Sequence, residues 1–448
     1  MTGIKAPTSL PRDSARTPER GRRMQTIETD VIVIGAGPAG LCLARALDRS
    51  GLRVALLERE SEASLRAPKF DGREIALTQR SVRLLRDLGV WSRLPPDECH
   101  PLCEAHVFDA GVREPLKIGG SDEPLGWLVP IHAIRAAVFD AVSVSQGVEL
   151  HAGVRIAAVA TDAEVARVRL EDGRTFAARL IVAADGRFSE TRRHLGIPAR
   201  MHDFGRAMLV CRVTHERPHD DTAWEWFDRG QTLARLPLGR ATPAGHRSSV
   251  VLTLPGAQMR DLQAMDDAAF AGEIARRFHG RLGSVSDPGE RHVYPLIGAW
   301  ATRFAGTRVA LLGDAAVGMH PVTAHGFNLG LLGVARLAAE LREAVGIGGD
   351  PGDPARLARY ERGHRFATAP LHLATRGIVA LFTDDRAPIR ALRAGVLRAS
   401  AGFPPFRQLL AAFLSDRPRA GLPGNHRIPA LRVASEQGDG RPGRADRW

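Results

Sequence analysis

Cysteine and lysine are scarce in this chain, and long apolar runs are missing altogether. The four cysteines, Cys42, Cys99, Cys103 and Cys211, are too few and too scattered for a disulfide framework, which points to a reducing, cytoplasmic setting. No apolar run reaches the roughly 18 residues of a membrane span, so no transmembrane helix is expected. Residues 1–24 carry charge and proline but no apolar core, which excludes a secretory signal. They read as a disordered tail, with Met24 a candidate initiator. The formal charge is +12, yet only Lys5, Lys69 and Lys117 are lysines, the other basic residues being arginine. No groove-reading motif accompanies that charge, so nucleic acid is not an expected partner, whereas an anionic membrane surface stays open.

What is present is an ordinary globular composition, 44% apolar, in a 448-residue chain long enough for two domains. Strands are expected at 29–34 and 53–58 around a helix at 38–50, followed by helices at 74–89 and 131–145. Strands at 148–158, 164–170 and 179–183 lead into Asp185-Gly186. A strand-rich stretch runs from 203 to 255, a helix over 259–280, an extended stretch over 290–297, a strand at 307–312 and a helix at 326–345. The expected fold class is mixed α/β. A Rossmann-like nucleotide-binding domain from 25–102, 129–202 and 287–350 is interleaved with a β-sheet domain from 103–128 and 203–286. Helices over 351–416 and a loose Pro/Gly/Arg-rich end at 417–448 complete it. There is no internal repeat.

The strongest local signal is Val31-Ile32-Val33-Ile34-Gly35-Ala36-Gly37-Pro38-Ala39-Gly40, a buried strand running into a Gly-rich turn and a helix. Gly35 allows the tight turn, Gly37 lets a diphosphate approach the backbone, and Gly40 lets helix and strand pack closely, with Pro38 and Ala39 opening the helix. Glycine is so abundant here that G-x-G-x-x-G alone proves little, and context decides. That context is complete, because Glu58 closes the next strand, where a ribose hydroxyl would meet it, and Arg59 follows. A second signal, Ala310-Leu311-Leu312-Gly313-Asp314-Ala315-Ala316, places a carboxylate just beyond another apolar strand. Asp185-Gly186 on its own reads as a β-turn or as a third contact. Gly346-Ile347-Gly348-Gly349-Asp350-Pro351-Gly352 follows a helix with the wrong spacing and reads as a linker, so no second dinucleotide fold is visible.

Gly35–Gly40, Ala184-Asp185-Gly186 and Gly313-Asp314, in that order over residues 28–415, resemble the single-component FAD-dependent aromatic hydroxylases of the para-hydroxybenzoate hydroxylase fold. His320-Pro321-Val322-Thr323-Ala324-His325-Gly326-Phe327-Asn328-Leu329-Gly330 narrows this. With Asp71–Leu77 and Ala184–Ser189, it is similar to the ubiquinone-biosynthesis hydroxylases, which act on polyprenylated phenols. Ala324-His325 stands where many relatives have Gly-Gln or Gly-Lys, a subfamily variant of the kind that hydroxylates several ring positions. The resemblance implies that Glu58 holds the adenosine ribose, Arg73 the FAD diphosphate and Asp314 the ribityl chain. It implies that Asp185 serves both the diphosphate and a transient NAD(P)H donor, and that Arg135 reaches the cofactor from its helix. Pro321 and the backbone of Gly326, Phe327, Asn328 and Leu329 would lie against the isoalloxazine. A helix starting at Gly326 would also aim free N–H groups at a reduced, anionic flavin.

The implied reaction puts one atom of oxygen on an electron-rich ring and needs neither metal nor covalent nucleophile. It does need a dry apolar pocket and a base near neutral pH, for which His320 and His325 are the candidates; His325 reads equally as a helix cap. Trp224, Trp226, Phe227 and Leu236 read either as a pocket wall or as ordinary core. Trp224-Glu225-Trp226 is similar to the W-x-W of flavin-dependent halogenases, but Phe227-Asp228 follows where Ile-Pro is expected, which argues against halogenation. Cys99-His100-Pro101-Leu102-Cys103 lacks a second ligand pair at zinc spacing, so no metal is expected. Arg-rich amphipathic segments around Ile389–Arg398 and Phe406–Leu410 fit an inner-membrane surface, a biosynthetic complex or packing on the rest of the chain. A hydroxylase or epoxidase of secondary metabolism, and a non-catalytic flavin-binding scaffold, remain alternatives.

Overall fold

Four apolar runs, Val31–Ile34, Val54–Leu57, Leu180–Ala183 and Val309–Leu311, are buried along their whole length. Continuous burial of this kind belongs to parallel strands covered on both faces. In the computed structural model, which describes residues 26–109, 115–120, 123–228, 230–242, 245–319 and 326–383, they form the centre of one sheet. Its order is Ala305–Gly306, Val309–Leu311, Leu180–Ala183, Val31–Ile34, Val54–Leu57, Val148–His151, with Ile32 in register with both Ile181 and Ala55. Helices Pro38–Leu47, Ile131–Ser143 and Gly326–Gly346 and a four-stranded sheet built around Ala166–Leu170 share its core. The tails expected at 1–24 and 417–448, and the Arg-rich segments past residue 383, lie outside the described residues.

The larger sheet runs Val317–Gly318, His292–Ala301, Ala199–His215, Gly245–Leu254, Gln231–Thr242, Thr222–Asp228, Glu104–Asp109, Leu116–Gly119. Strand side chains alternate between faces. On one face Leu209, Trp226, Leu233 and Leu252 pack under helices Gly256–Ala264 and Asp267–Arg277. The opposite face is the roof of a cleft over the parallel sheet. Residues 199–202 and 292–301, expected with the nucleotide-binding segments, are strands of this larger sheet, because they pair with each other from Ala199–Ala301 to Val210–His292.

Two expected helices differ. The one at 74–89 starts only at Gln79: Ile75 and Leu77 also satisfy a period of two, and Glu74–Thr78 pairs antiparallel with Gly126–Pro130. Thr78 then caps the helix, its Oγ1 accepting from Ser81 N at 3.3 Å. The helix at 259–280 breaks at Met265, and Asp266 starts a new one by accepting from Ala269 N at 2.7 Å. The C-terminal helix Pro354–Thr383 is tied to the parallel sheet by Tyr360, whose hydroxyl donates to the Leu311 carbonyl at 2.7 Å.

One ion cluster clamps the larger sheet to the cofactor side. Arg212 donates to Glu74 at 2.9 Å and to Glu98 at 2.7 Å, its guanidinium lying 4.5 Å from the Phe70 ring centre. Burial pushes the Glu74 carboxyl up to about 7, against the pull of Arg212. Removing the cation takes the donor from both Glu74 and Glu98 and leaves the buried Glu74 carboxyl without its partner. Arg212→Met is therefore expected to lower the unfolding free energy by about 3 kcal/mol in denaturant titrations. A loss below about 1 kcal/mol would class the cluster with exposed ion pairs.

Candidate active site

The Gly turn is set by how little room its backbone has. Gly35 has φ +103°, its N–H donates to Leu57 O at 2.8 Å, and a Cβ there would sit 2.6 Å from the Ala184 carbonyl. A Cβ on Gly40 would meet the Gly35 carbonyl at 2.0 Å. Gly37 is the opposite case: an added Cβ would meet nothing within 4 Å, and the residue faces the cleft. It also caps helix Pro38–Leu47 without a side-chain partner, so the first N–H groups of that helix have no side-chain acceptor. Two glycines thus serve packing, and one leaves a place for a ligand.

Glu58 is buried at the end of the next strand and accepts from Ala36 N at 2.6 Å and Glu60 N at 2.9 Å. It braces the turn, while each oxygen keeps a further lone pair for a ribose hydroxyl. Arg135 reaches the same turn from helix Ile131–Ser143, donating to Ala36 O at 3.3 Å and pairing with Glu60 at 2.9 Å. Arg59 is exposed at the rim. Arg73 is held by Asp71 at 2.8 Å and stands 5.5 Å from the ring centre of Tyr294, whose hydroxyl donates to Asp71 O at 2.6 Å.

The two distant Asp motifs meet. Asp314 lies in a short 3-10 turn after Val309–Leu311, and Arg187 donates to it at 2.9 Å while also donating to Ile297 O at 2.8 Å. Gly313, at φ +59°, would press a Cβ to 3.1 Å from Ala39 Cβ, which brings the Asp314 turn against the Gly turn. Asp185 is engaged with its own chain, accepting from the Ser189 hydroxyl and from Thr191 N at 3.0 Å, at the start of helix Glu190–His194. Arg187 lies inside a quoted motif but carries no sequence signal of its own. Only the fold shows that it joins the Asp185 segment to Asp314.

A cleft of about 1440 Å³ connects these groups, larger than the ~300–1,000 Å³ usual for one small ligand. Gly35, Gly37, Pro38, Ala39, Glu58, Arg59, Arg73, Arg135, Asp185, Gly313, Asp314, Gly326 and Phe327 all line it. Gly40, Asn328 and Leu329 do not. Gly40 is closed off by Gly35, and Leu329 is core. Asn328 is turned to the strand Glu74–Thr78, donating to Ala76 O at 2.8 Å and accepting from Thr78 N at 3.1 Å. His320, Pro321 and His325 lie outside the described residues.

The roof is the cleft face of the larger sheet, where Val210, Ala223, Phe227, Ala234, Leu236 and Val251 are apolar. The four aromatic-face candidates separate: Phe227 and Leu236 line the cleft from the roof face. Trp224 also touches the cleft but alternates onto the helix-covered face with Trp226 and packs on that core, under the Arg235 guanidinium at 3.8 Å. Trp226 stacks on Phe108 at 4.9 Å on that face, as core. Between them, Glu225 faces the cleft, and burial raises its carboxyl to about 8. Cys42 is core, and burial pushes its thiol up.

A group as long as FAD fits these residues, because Gly37 and Gly326 offer backbone with no side chain in the way and Asp314 and Glu58 offer acceptors at separated points. The family model described as FAD binding domain matches residues 28–372. The chain is 41% identical over 397 residues to the ubiquinone hydroxylase UbiM of Neisseria meningitidis, covering 87% of this chain and 85% of that protein. It is 36% identical over 368 residues to ubiquinone hydroxylase UbiL of Rhodospirillum rubrum, covering 81% and 84%. Among solved structures, p-nitrophenol 4-monooxygenase PnpA from Pseudomonas putida shares the fold with TM-score 0.69 at 18% identity, covering 88% of this chain and 99% of that one. The chain belongs to the FAD binding domain family, in the group that holds the ubiquinone hydroxylases.

Proposed function

We propose that the protein is an FAD-dependent monooxygenase that hydroxylates the ring of a polyprenylated phenol in ubiquinone biosynthesis. One observation carries this reading. Three cofactor motifs and an apolar sheet face open into the same cleft, in a chain 41% identical to a ubiquinone hydroxylase. When bound, FAD supplies the reduction of O2 with electrons from NAD(P)H, so that one oxygen atom goes to the ring and the other leaves as water.

The chain's own part is to bind, orient and keep dry. The turn at Gly37 and the free N–H groups of helix Pro38–Leu47 take the diphosphate, with Arg73 near it, while Glu58 takes the ribose and Asp314 the ribityl chain. Arg187 fixes the Asp314 carboxylate by ion pair and charge-assisted hydrogen bond. Gly326 and Phe327, which line the same cleft, would stand beside the reacting end. The apolar roof excludes water and accepts a prenylated ring. No described helix is long and apolar enough to cross a membrane, and the reading places the enzyme in the cytoplasm and peripherally on the inner membrane, where such a substrate resides.

Two measurements test this. Deleting the gene is expected to cause a prenylated, under-hydroxylated quinone precursor to accumulate, and the purified protein should oxidise NAD(P)H in step with hydroxylation of such a phenol. No accumulating precursor, or FAD bound without phenol-stimulated oxidation, would favour a scaffold or another pathway. The cofactor grip is tested at two glycines. Gly37→Ala is expected to leave the thermal unfolding of the flavin-free protein unchanged and to weaken FAD binding at least tenfold, because its Cβ enters only the ligand's space. Gly40→Ala, which collides with the Gly35 carbonyl, should lower the unfolding temperature itself. Equal FAD affinity in Gly37→Ala and the parent would remove the diphosphate from this turn.

A further inference from the structure

The roof of the cleft is mainly apolar, interrupted by the hydroxyls of Thr232, Thr253 and Tyr294 and by one carboxyl. Glu225 is the only acidic side chain of the larger sheet among the described residues that line the cleft. Strand register places it. Glu225 pairs with Ala234 on one side and with Val107 on the other, and its same-face neighbours along its own strand are Ala223 and Phe227. Across Ala234 comes Val251, and the diagonal positions on Gln231–Thr242 are Thr232 and Leu236. By register, Asp109, opposite Phe227, is the one titratable residue at an adjacent same-face position. Among the described side chains the Glu225 carboxyl has no hydrogen-bond or ion-pair partner. Glu225 is half-buried among apolar side chains and faces the cleft, so the partner of its carboxyl is to be sought in what fills the cleft.

Resting on the functional reading above, we infer that Glu225 is the catalytic residue that accepts the hydrogen bond of the substrate's ring hydroxyl and takes its proton as oxygen is delivered to the ring. The O–H bond breaks, its electron pair stays on the ring oxygen and enriches the ring, and the proton passes to a Glu225 oxygen. After oxygen is inserted, Glu225 returns that proton to the ring oxygen. The proton lost from the attacked carbon matches the one taken up when the second oxygen leaves as water. O2, NAD(P)H and one proton thus give the hydroxylated ring, NAD(P)+ and water. Burial suits the carboxyl to this role. At about 8 rather than the ordinary value near 4.5, it is a far stronger base toward a phenol, which ionises near 10.

The sign of the pH dependence follows. Below about 8 the carboxyl is protonated; above it, the carboxylate accepts the hydroxyl in a charge-assisted bond. Phenol affinity should therefore rise with pH through about 8 and fall again as the free phenol ionises near 10. The test uses the full chain loaded with FAD, titrated with 2-prenylphenol and with its methyl ether, and followed by the flavin absorbance. Wild type is expected to bind the phenol more tightly at pH 9 than at pH 6.5, and the ether equally at both. Glu225→Gln, with FAD content unchanged, should bind the phenol about tenfold more weakly at pH 9, lose the pH dependence and leave ether binding as it was. Its coupled hydroxylation should fall about 100-fold.

Phenol binding by wild type that does not vary between pH 6.5 and 9 would overturn the assignment whatever the variant does. So would Glu225→Gln with parental pH dependence and coupling, a result that leaves the hydroxylase reading standing. Wild type that holds FAD but binds no phenol would overturn both.

Discussion

The structure depends on how closely three backbones approach one another where the strands Val31–Ile34, Leu180–Ala183 and Val309–Leu311 end. Gly35 leaves no room for a Cβ against Ala184, Gly40 none against Gly35, and Gly313 lies against Ala39. Because the strands are parallel, their carboxyl ends share one edge, and the turns leaving them must share one small volume. That crowding brings Asp185 and Asp314 beside a turn more than a hundred residues earlier in the chain. Any side chain at Gly35 or Gly40 would push the turns apart and widen the cleft that they define.

The second sheet answers a different demand. Its strands bury two faces, one under helices and one over the cleft, so both alternate sets of side chains are mainly apolar. A sheet built in this way offers a large, dry surface with little chemical instruction. Orientation of a ring beneath it must come from the few polar atoms that interrupt the surface, and the energetic weight of each rises as water is excluded. Thr232 and Thr253 interrupt it with hydroxyls and Glu225 with an acid.

Much of this was legible in the sequence, and the limits have physical causes. The apolar runs at 31–34, 180–183 and 309–311 announce buried parallel strands, and the order of the Gly and Asp motifs announces one long cofactor. Glu74–Thr78 was not legible, because Ile75 and Leu77 satisfy either period and only the partner strand decides. Asn328 sits within a recognisable segment yet turns to Ala76 and Thr78, since a helix presents each residue in a different direction. In Trp224-Glu225-Trp226 the tryptophans draw the eye and the glutamate looks like a surface residue of an edge. Its face is fixed by pairing with Val107 and Ala234, which lie far away in the chain or across a turn.

The excess of arginine also gains a structural account. Lysine presents one compact charge, whereas arginine has a planar fork of five donors that can satisfy several acceptors at once. Arg187 binds Asp314 and the Ile297 carbonyl, and Arg192 binds the carbonyls of Ala315 and Arg187. Arg308 joins the carbonyls of Ala163 and Arg179 to Asp350, and Arg212 joins Glu74 to Glu98. These links connect segments that the interleaved topology brings together only at their ends, where carbonyls would otherwise be left without donors. A lysine at the same places would carry three donors on a single nitrogen and lack the fork that reaches acceptors on separate segments. Part of the +12 charge is thus held within the fold, between its segments, instead of forming an outward field for a polyanion.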